Sequence, residues 1–284
     1  MSNMLQIGKL NTLKIVKEVD FGLYLDGGEE YGEILLPKRY VPEKFEIEDN
    51  LEVFIYRDSE DRIIATTETP IAMVGDFALM EVASVNDFGA FLEWGLQKEL
   101  LVPFREQKND MEKGKSYVVY VYLDDETKRI AASSKLNKFL DNIPVEYEPN
   151  QEVNLFIASK TDLGYNAIIN GVHWGILYEN EVFKPLERGQ KIKAFIKKVR
   201  EDEKIDLYLH KAGYDKVDAL TNKILETLKE EGGFLEINDK TPSTIIYEVF
   251  GESKKTFKKA LGTLYKKRLI DIEKRGIKLL KNTN

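Results

Sequence analysis

The chain has 284 residues, 43% hydrophobic and 32% charged, with a net charge of −7 at neutral pH, which favours two to four compact units with a soluble surface. No apolar run approaches the roughly 20 residues that span a bilayer, and no basic segment followed by an apolar stretch at the start suggests a secretory signal. Zero cysteines exclude disulfides and thiolate metal sites and suit a reducing cytoplasm, the expected location.

The first block contains "VDFGLYLDGG" (Val19 to Gly28), "YGEILLP" (Tyr31 to Pro37) and "LEVFIYRDSEDRIIATTE" (Leu51 to Glu68), short β-branched runs separated by turn residues. The same order returns as "NDFGAFLEWG" (Asn86 to Gly95), "QKELLVP" (Gln97 to Pro103) and "YVVYVYLDDETKRIAASSK" (Tyr117 to Lys135), with Gly22 and Gly89, and Arg62 and Arg129, each 67 positions apart. A third copy lies 75 positions beyond the second: "TDLGYNAIING", "GILY" and "KIKAFIKKVREDEKIDLYLHK". Three blocks in constant order imply three copies of one fold. Five short strands in about 65–75 residues, with acidic hairpin turns, suit a small closed barrel of the OB type. Gly22, Gly89 and Gly164 break the rule that strand interiors avoid glycine, and a barrel needs such a residue for a sharp bend or a close backbone approach.

These copies occupy residues 1–70, 71–140 and 145–213, with "KFLDNIPVEYEPN" (Lys138 to Asn150) as the linker before the third. In residues 214–284 the apolar period changes to 3.6. Val217, Leu220, Ile224 and Leu228 share one face of a helix stopped by Gly232 and Gly233. "TPSTIIYEVFG" is a short second helix, and "SKKTFKKALGTLYKKRL" a third, N-capped by Ser253 and burying Phe257, Ala260, Leu261 and Leu264. "IDIEKRGIKLL" reads as a hairpin turning at Arg275-Gly276.

At their Gly-aromatic, "ELLVP" and "KRIAASSK" strands the blocks resemble the S-one domain, an OB-type RNA-binding module. The second block matches best. The first lacks a counterpart of Gly114, and the third has Leu163 and Asn166 in place of the two aromatics. Three helices and a hairpin resemble a winged helix-turn-helix, with the third helix as recognition helix and the hairpin as wing. The whole order resembles the CvfB family (conserved virulence factor B) of bacterial RNA-binding regulators. The fold class expected is mainly β: three tandem five-stranded OB-type, S-one-like barrels followed by an α+β winged helix-turn-helix domain. The resemblance implies a cytoplasmic RNA-binding protein that influences gene expression.

On an OB fold, aromatics of the second and third strands stack bases, worth about 1–3 kcal/mol each. Phe88 and Phe91 are the stacking candidates in the second block, with Arg129 beside them. Phe21, Tyr24 and Arg62 are their equivalents in the first. Tyr165, His173 and Trp174 are the nearest in the third. The bland alternative is that one aromatic of each pair fills the barrel, because residues i and i+3 of a regular strand face opposite sides.

Charge runs along the chain as a gradient. Residues 1–71 carry a net −7, residues 72–137 −3, residues 145–212 −1 and residues 216–284 +5. Phosphate contacts dominate nucleic-acid affinity, so the C-terminal half is expected to supply most of the attraction. The phosphate candidates there are Lys255, Lys258, Lys259 and Lys266 on one side of the third helix and Arg275 on the wing. Lys191, Lys193 and Lys197 form a second cluster on the third block's fourth strand. The first block is expected to bind, to space, or to contact protein.

Catalysis is not expected. His173 and His210 belong to no metal-ligand or general-base motif, "DGGEE" is no phosphate loop, and Asp124-Asp125 fall in a turn. No cofactor and no metal are expected. Single-stranded RNA is the expected partner, duplex DNA read by the winged helix the alternative, and a membrane is not expected.

Overall fold

Each of the three repeats folds into five strands. The first has β1 (Leu10–Val19), β2 (Gly22–Asp26), β3 (Glu33–Pro37), β4 (Asn50–Arg57) and β5 (Ile63–Thr66), with a single helical turn, α1 (Gly28–Tyr31), before β3. The second has β6 (Phe77–Asn86), β7 (Gly89–Leu92), β8 (Leu100–Pro103), β9 (Ser116–Leu123) and β10 (Ile130–Ser133). The third has β11 (Glu152–Thr161), β12 (Gly164–Ile169), β13 (His173–Tyr178), β14 (Lys191–Val199) and β15 (Ile205–Tyr208). This computed structural model describes residues 5–179, 182, 185–209 and 215–280. His210 and the expected boundary at 213/214 lie outside the described residues, as does the Val217 side chain. The chain divides between Leu207 and Tyr208 into two compact units.

The first and third barrels are closed in the order β1-β2-β3-β5-β4 and β11-β12-β13-β15-β14. A parallel pairing closes each, Leu35 with Ile64 and Gly175 with Ile205. The second sheet keeps the order, as β10-β9-β6-β7-β8, and leaves the seam between β8 and β10 without a ladder, so it is nearly closed.

Two devices curl each sheet. The first strand of every repeat carries a register shift, between Ile15 and Lys17, Val82 and Ser84, and Ile157 and Ser159, and bulges of this kind bend a strand and raise its twist. The second device is the repeated glycine. A Cβ on Gly22, Gly89 or Gly164 would lie 2.1, 2.2 or 2.0 Å from the carbonyl oxygen of Leu36, Val102 or Leu177. Their φ angles of +153°, +149° and +143° are also ones that side chains disfavour. The glycine is therefore required by the approach of the third strand.

The barrels share cores. Phe54, Tyr56 and Ile64 of the first pack in one buried cluster with Trp94, Met80 and Val119 of the second, and the Trp94 ring meets Phe54 edge-on at 5.6 Å. Phe77 and Val118 of the second cluster with Phe156 and Ile168 of the third, with Leu140 of the linker between them. The expected linker is thus packed: Phe139 stacks on Tyr120 at 4.1 Å, and Asp141 N donates to Val172 O.

The C-terminal unit has α2 (Asp215–Glu230), β16 (Phe234–Leu235), α3 (Ser243–Phe250), α4 (Lys254–Lys266), β17 (Ile270–Ile272) and β18 (Ile277–Leu279). Ser253 Oγ caps α4 by accepting from Thr256 N at 3.2 Å. The apolar stripe Phe257, Ala260, Leu261 and Leu264 is buried with Leu220, Ile224 and Leu228. The wing hairpin turns over Glu273–Gly276. It gains a third strand that the sequence pattern does not show, because β16 is two residues long and pairs Phe234 and Leu235 with Lys278 and Ile277.

Candidate nucleic-acid interface

Phe21 and Phe88, the exposed members of the two expected aromatic pairs, sit in the turn before the second strand and not within it. Asn86 pairs with Gly89, so Phe88 occupies the tip between β6 and β7, where its N–H donates to Asn86 Oδ1 at 2.8 Å. Its side chain is 73% exposed, and Phe21 at the same place in the first barrel is 56% exposed. Phe91 and Tyr24, on β7 and β2, are half-buried. The i, i+3 alternation therefore does not decide the matter: the first aromatic leaves the strand, and the second stays within it. Phe21 meets Tyr24 edge-on at 6.3 Å, and Lys17 Nζ stands 4.7 Å above the Tyr24 ring.

Phe104 belongs to this end of the second barrel although sequence reasoning passed over it. The Gly89–Pro103 pairing brings Phe88 and Phe104, each one step beyond, to the same ends of neighbouring strands, and Phe104 is 49% exposed. The signal was present in the repeat: Phe104 aligns with Lys38, so an aromatic replaces a polar residue at a strand end.

The third barrel corrects two candidates, Tyr165 and His173, and gives the third, Trp174, a packing contact. Leu163 takes the exposed turn position. Tyr165 is 4% exposed, with its hydroxyl accepting from Leu186 N at 3.3 Å. His173 is 2% exposed, held between the Tyr147 hydroxyl on Nδ1 at 3.0 Å and the Ile143 carbonyl on Nε2 at 2.9 Å. Trp174 is half-buried at the seam with the second barrel, donating Nε1–H to Asn137 Oδ1 at 3.0 Å. Stacking needs a bare ring face, which Tyr165 and His173 lack, and Trp174 serves the inter-barrel seam.

Several cation candidates are already neutralised. Arg62 pairs with Asp58 at 2.7 Å and Glu60 at 2.9 Å. Arg129 reaches back across the barrel boundary to Asp61, with Nε donating to Oδ1 at 2.8 Å, and this hydrogen bond holds the Asp61 carboxyl below the usual carboxylate range. Beside it Lys98 Nζ donates to the carbonyls of Arg57 and Asp58, both at 2.9 Å. Burial, then the Arg129 charge, pulls the Lys98 pKa down. Lys193 pairs with Glu152 at 2.7 Å, and Lys197 is exposed and engaged. Lys191 is exposed on the wall of a groove between the second and third barrels, beside Asn154 and Asn170.

The winged-helix face differs. Lys255, Lys258, Lys259 and Lys266 are exposed, and among the described residues none of them has an ion-pair partner. At 100° per residue they lie on the side of α4 opposite its buried stripe. Arg275 is exposed at the wing turn. Among the described residues, no group of three or more His, Asp or Glu is placed to hold a metal ion, and no helix is long and apolar enough to cross a membrane. The chemistry available is stacking on the turn aromatics and attraction of phosphates.

The family model of the S1 domain matches residues 7–68 and 74–134, the first two barrels, and that of the CvfB-like winged helix domain matches residues 222–279. "Uncharacterized protein YitL" of Bacillus subtilis strain 168 is 28% identical over 275 residues, covering 91% of this chain and 89% of that protein. "Conserved virulence factor B" of Staphylococcus epidermidis strain ATCC 12228 is 24% identical over 284 residues, covering 97% and 95%. A solved multidomain protein with nucleic acid binding domains from Streptococcus pneumoniae aligns over 96% of this chain and 98% of its own at 22% identity, with a TM-score of 0.40. The S1 domains and the CvfB-like winged helix point to nucleic-acid binding.

Proposed function

We propose that this chain, which belongs to the CvfB family by its S1 domains and CvfB-like winged helix domain, binds single-stranded RNA and regulates gene expression after transcription. The observation that carries this reading is the bare Phe88 ring, 73% exposed at a barrel turn, with the exposed Phe104 at the same end of the neighbouring strand. A solvent-facing aromatic on an OB fold is a stacking platform for an unpaired base, and duplex bases offer no such face. The unpaired lysines of α4 supply the phosphate attraction that the acidic barrels lack. In this reading the protein works in the cytoplasm as a binder, with no catalysis and no cofactor.

A second reading is favoured by the same α4 face: the winged helix reads duplex DNA, and the barrels serve as interaction modules. Competition between single-stranded RNA and duplex DNA of equal length separates the two. The RNA reading expects RNA to compete far better, and Phe88→Ala to weaken RNA alone. Preferential loss of label to duplex DNA, with Phe88→Ala silent, supports the second reading.

A further inference from the structure

The lysine side of α4 carries the row Lys255, Lys259, Gly262, Lys266, spaced i, i+4, i+7, i+11, with the three lysines exposed and Gly262 partly exposed between them. Among the described residues, nothing in the fold requires a glycine in that row. Its φ is not positive, unlike that of fourteen other glycines among the described residues, and a Cβ built on it meets none of the described residues within 4 Å. It ends no helix, since α4 continues to Lys266. The packed face of α4 is the opposite one, carrying Phe257, Ala260, Leu261 and Leu264. Glycine inside a helix nonetheless lowers its stability relative to alanine, through the extra backbone freedom lost on folding.

We propose that Gly262 is a close-approach notch for a phosphodiester backbone. Without a side chain there, the phosphate and sugar of one nucleotide lie directly against the α4 main chain. Lys259 on one side and Lys266 on the other, about 10 Å apart along the axis, engage the flanking phosphates. A methyl group at position 262 lifts the strand away from the helix and lengthens both ammonium–phosphate contacts. The helix gives up stability so that a ligand can reach its backbone. This inference rests on the reading that α4 is part of the nucleic-acid surface.

Gly262→Ala and Gly262→Leu in the full-length chain test it, with Lys255→Glu/Lys259→Glu/Lys266→Glu as reference. The readouts are the helical circular-dichroism melt, which reports chiefly on α2, α3 and α4, and titration of labelled single-stranded RNA and duplex DNA of equal length. Alanine and leucine are both better helix formers than glycine, so both variants should melt a few degrees higher. Affinity should nevertheless fall, several-fold for alanine and further for leucine. The probe that loses affinity identifies which nucleic acid supplies the phosphodiester. A raised melting point with unchanged affinity for both probes overturns the notch, as does a melting point that does not rise, which would give the glycine a role in folding. If the lysine variant also leaves both affinities unchanged, the α4 reading itself has failed; if it alone weakens binding, only the notch has.

Discussion

Arg129 of the second barrel is bound to Asp61 of the first, its Nε donating to Oδ1 at 2.8 Å. Arg62 holds the same repeat position in the first barrel, yet it pairs locally with Asp58 and Glu60. One repeated residue thus has two structural roles, set by what the neighbouring barrel presents. Because Arg129 is already neutralised, Arg129→Ala should leave RNA affinity within about twofold of the native value, far less than loss of an unpaired phosphate contact would cost. Binding isotherms at two salt concentrations check this, and a large affinity loss would mean that Asp61 yields the guanidinium to RNA.

Phe88→Ala should weaken single-stranded RNA binding by about 1–3 kcal/mol with little change in melting temperature, since the ring is mostly in water. Phe91→Ala should lower the melting temperature, because that ring is half-buried on β7. Thermal melts beside titrations separate the two, and Phe104→Ala should follow Phe88→Ala.

Replacing Lys255, Lys259 and Lys266 by Glu should leave the C-terminal unit folded, since its buried stripe is untouched. Loss of three phosphate contacts should reduce the slope of log affinity against log salt by about 2. Cutting the chain at residue 144 is a poorer test of charge, because it would open the seam in which Leu140 packs with Phe77, Phe156 and Ile168. A salt series on the intact chain avoids this.

Glu106 gives the second barrel an acid-sensitive contact. Its carboxylate is largely buried and accepts from Lys138 Nζ at 2.7 and 2.9 Å. Burial pushes its pKa up, but the hydrogen bonds from Lys138 and Ser133 outweigh this and hold it below the usual range. A lowered folded-state pKa means stability that is present above the ordinary glutamate pKa and is lost as pH falls through the lowered value. Glu106→Gln should therefore cost about 1–3 kcal/mol at neutral pH, and the cost should shrink in acid. Denaturant melts at neutral and acidic pH measure the difference.

Gly89→Ala should destabilise the second barrel by on the order of 3 kcal/mol or more, since its Cβ would lie 2.2 Å from Val102 O. Gly262→Ala should do the reverse to α4, so paired melts of the two variants contrast a glycine required by packing with one that is not.

The repeat, the three glycines, the helical stripe of α4 and its lysine side could be read from the sequence because each is local. Alternation, 3.6-residue periodicity and recurrence at 67 positions report on a strand, a helix or a copied barrel without reference to its neighbours. Which aromatics reach water could not be read that way. The position before each repeated glycine, Phe21, Phe88 or Leu163, stands in solvent and the one after it, Leu23, Ala90 or Tyr165, is buried, because the turn takes the first out of the ladder, which strand alternation alone does not show. The same holds for His173, fixed by Tyr147 and Ile143 of the packed linker, and for Arg129, whose partner lies 68 positions upstream in another barrel. The sequence by itself determined the modules and their charges. Only tertiary packing decided which rings and cations were left unpartnered, since burial and ion pairing are settled between segments and not within them.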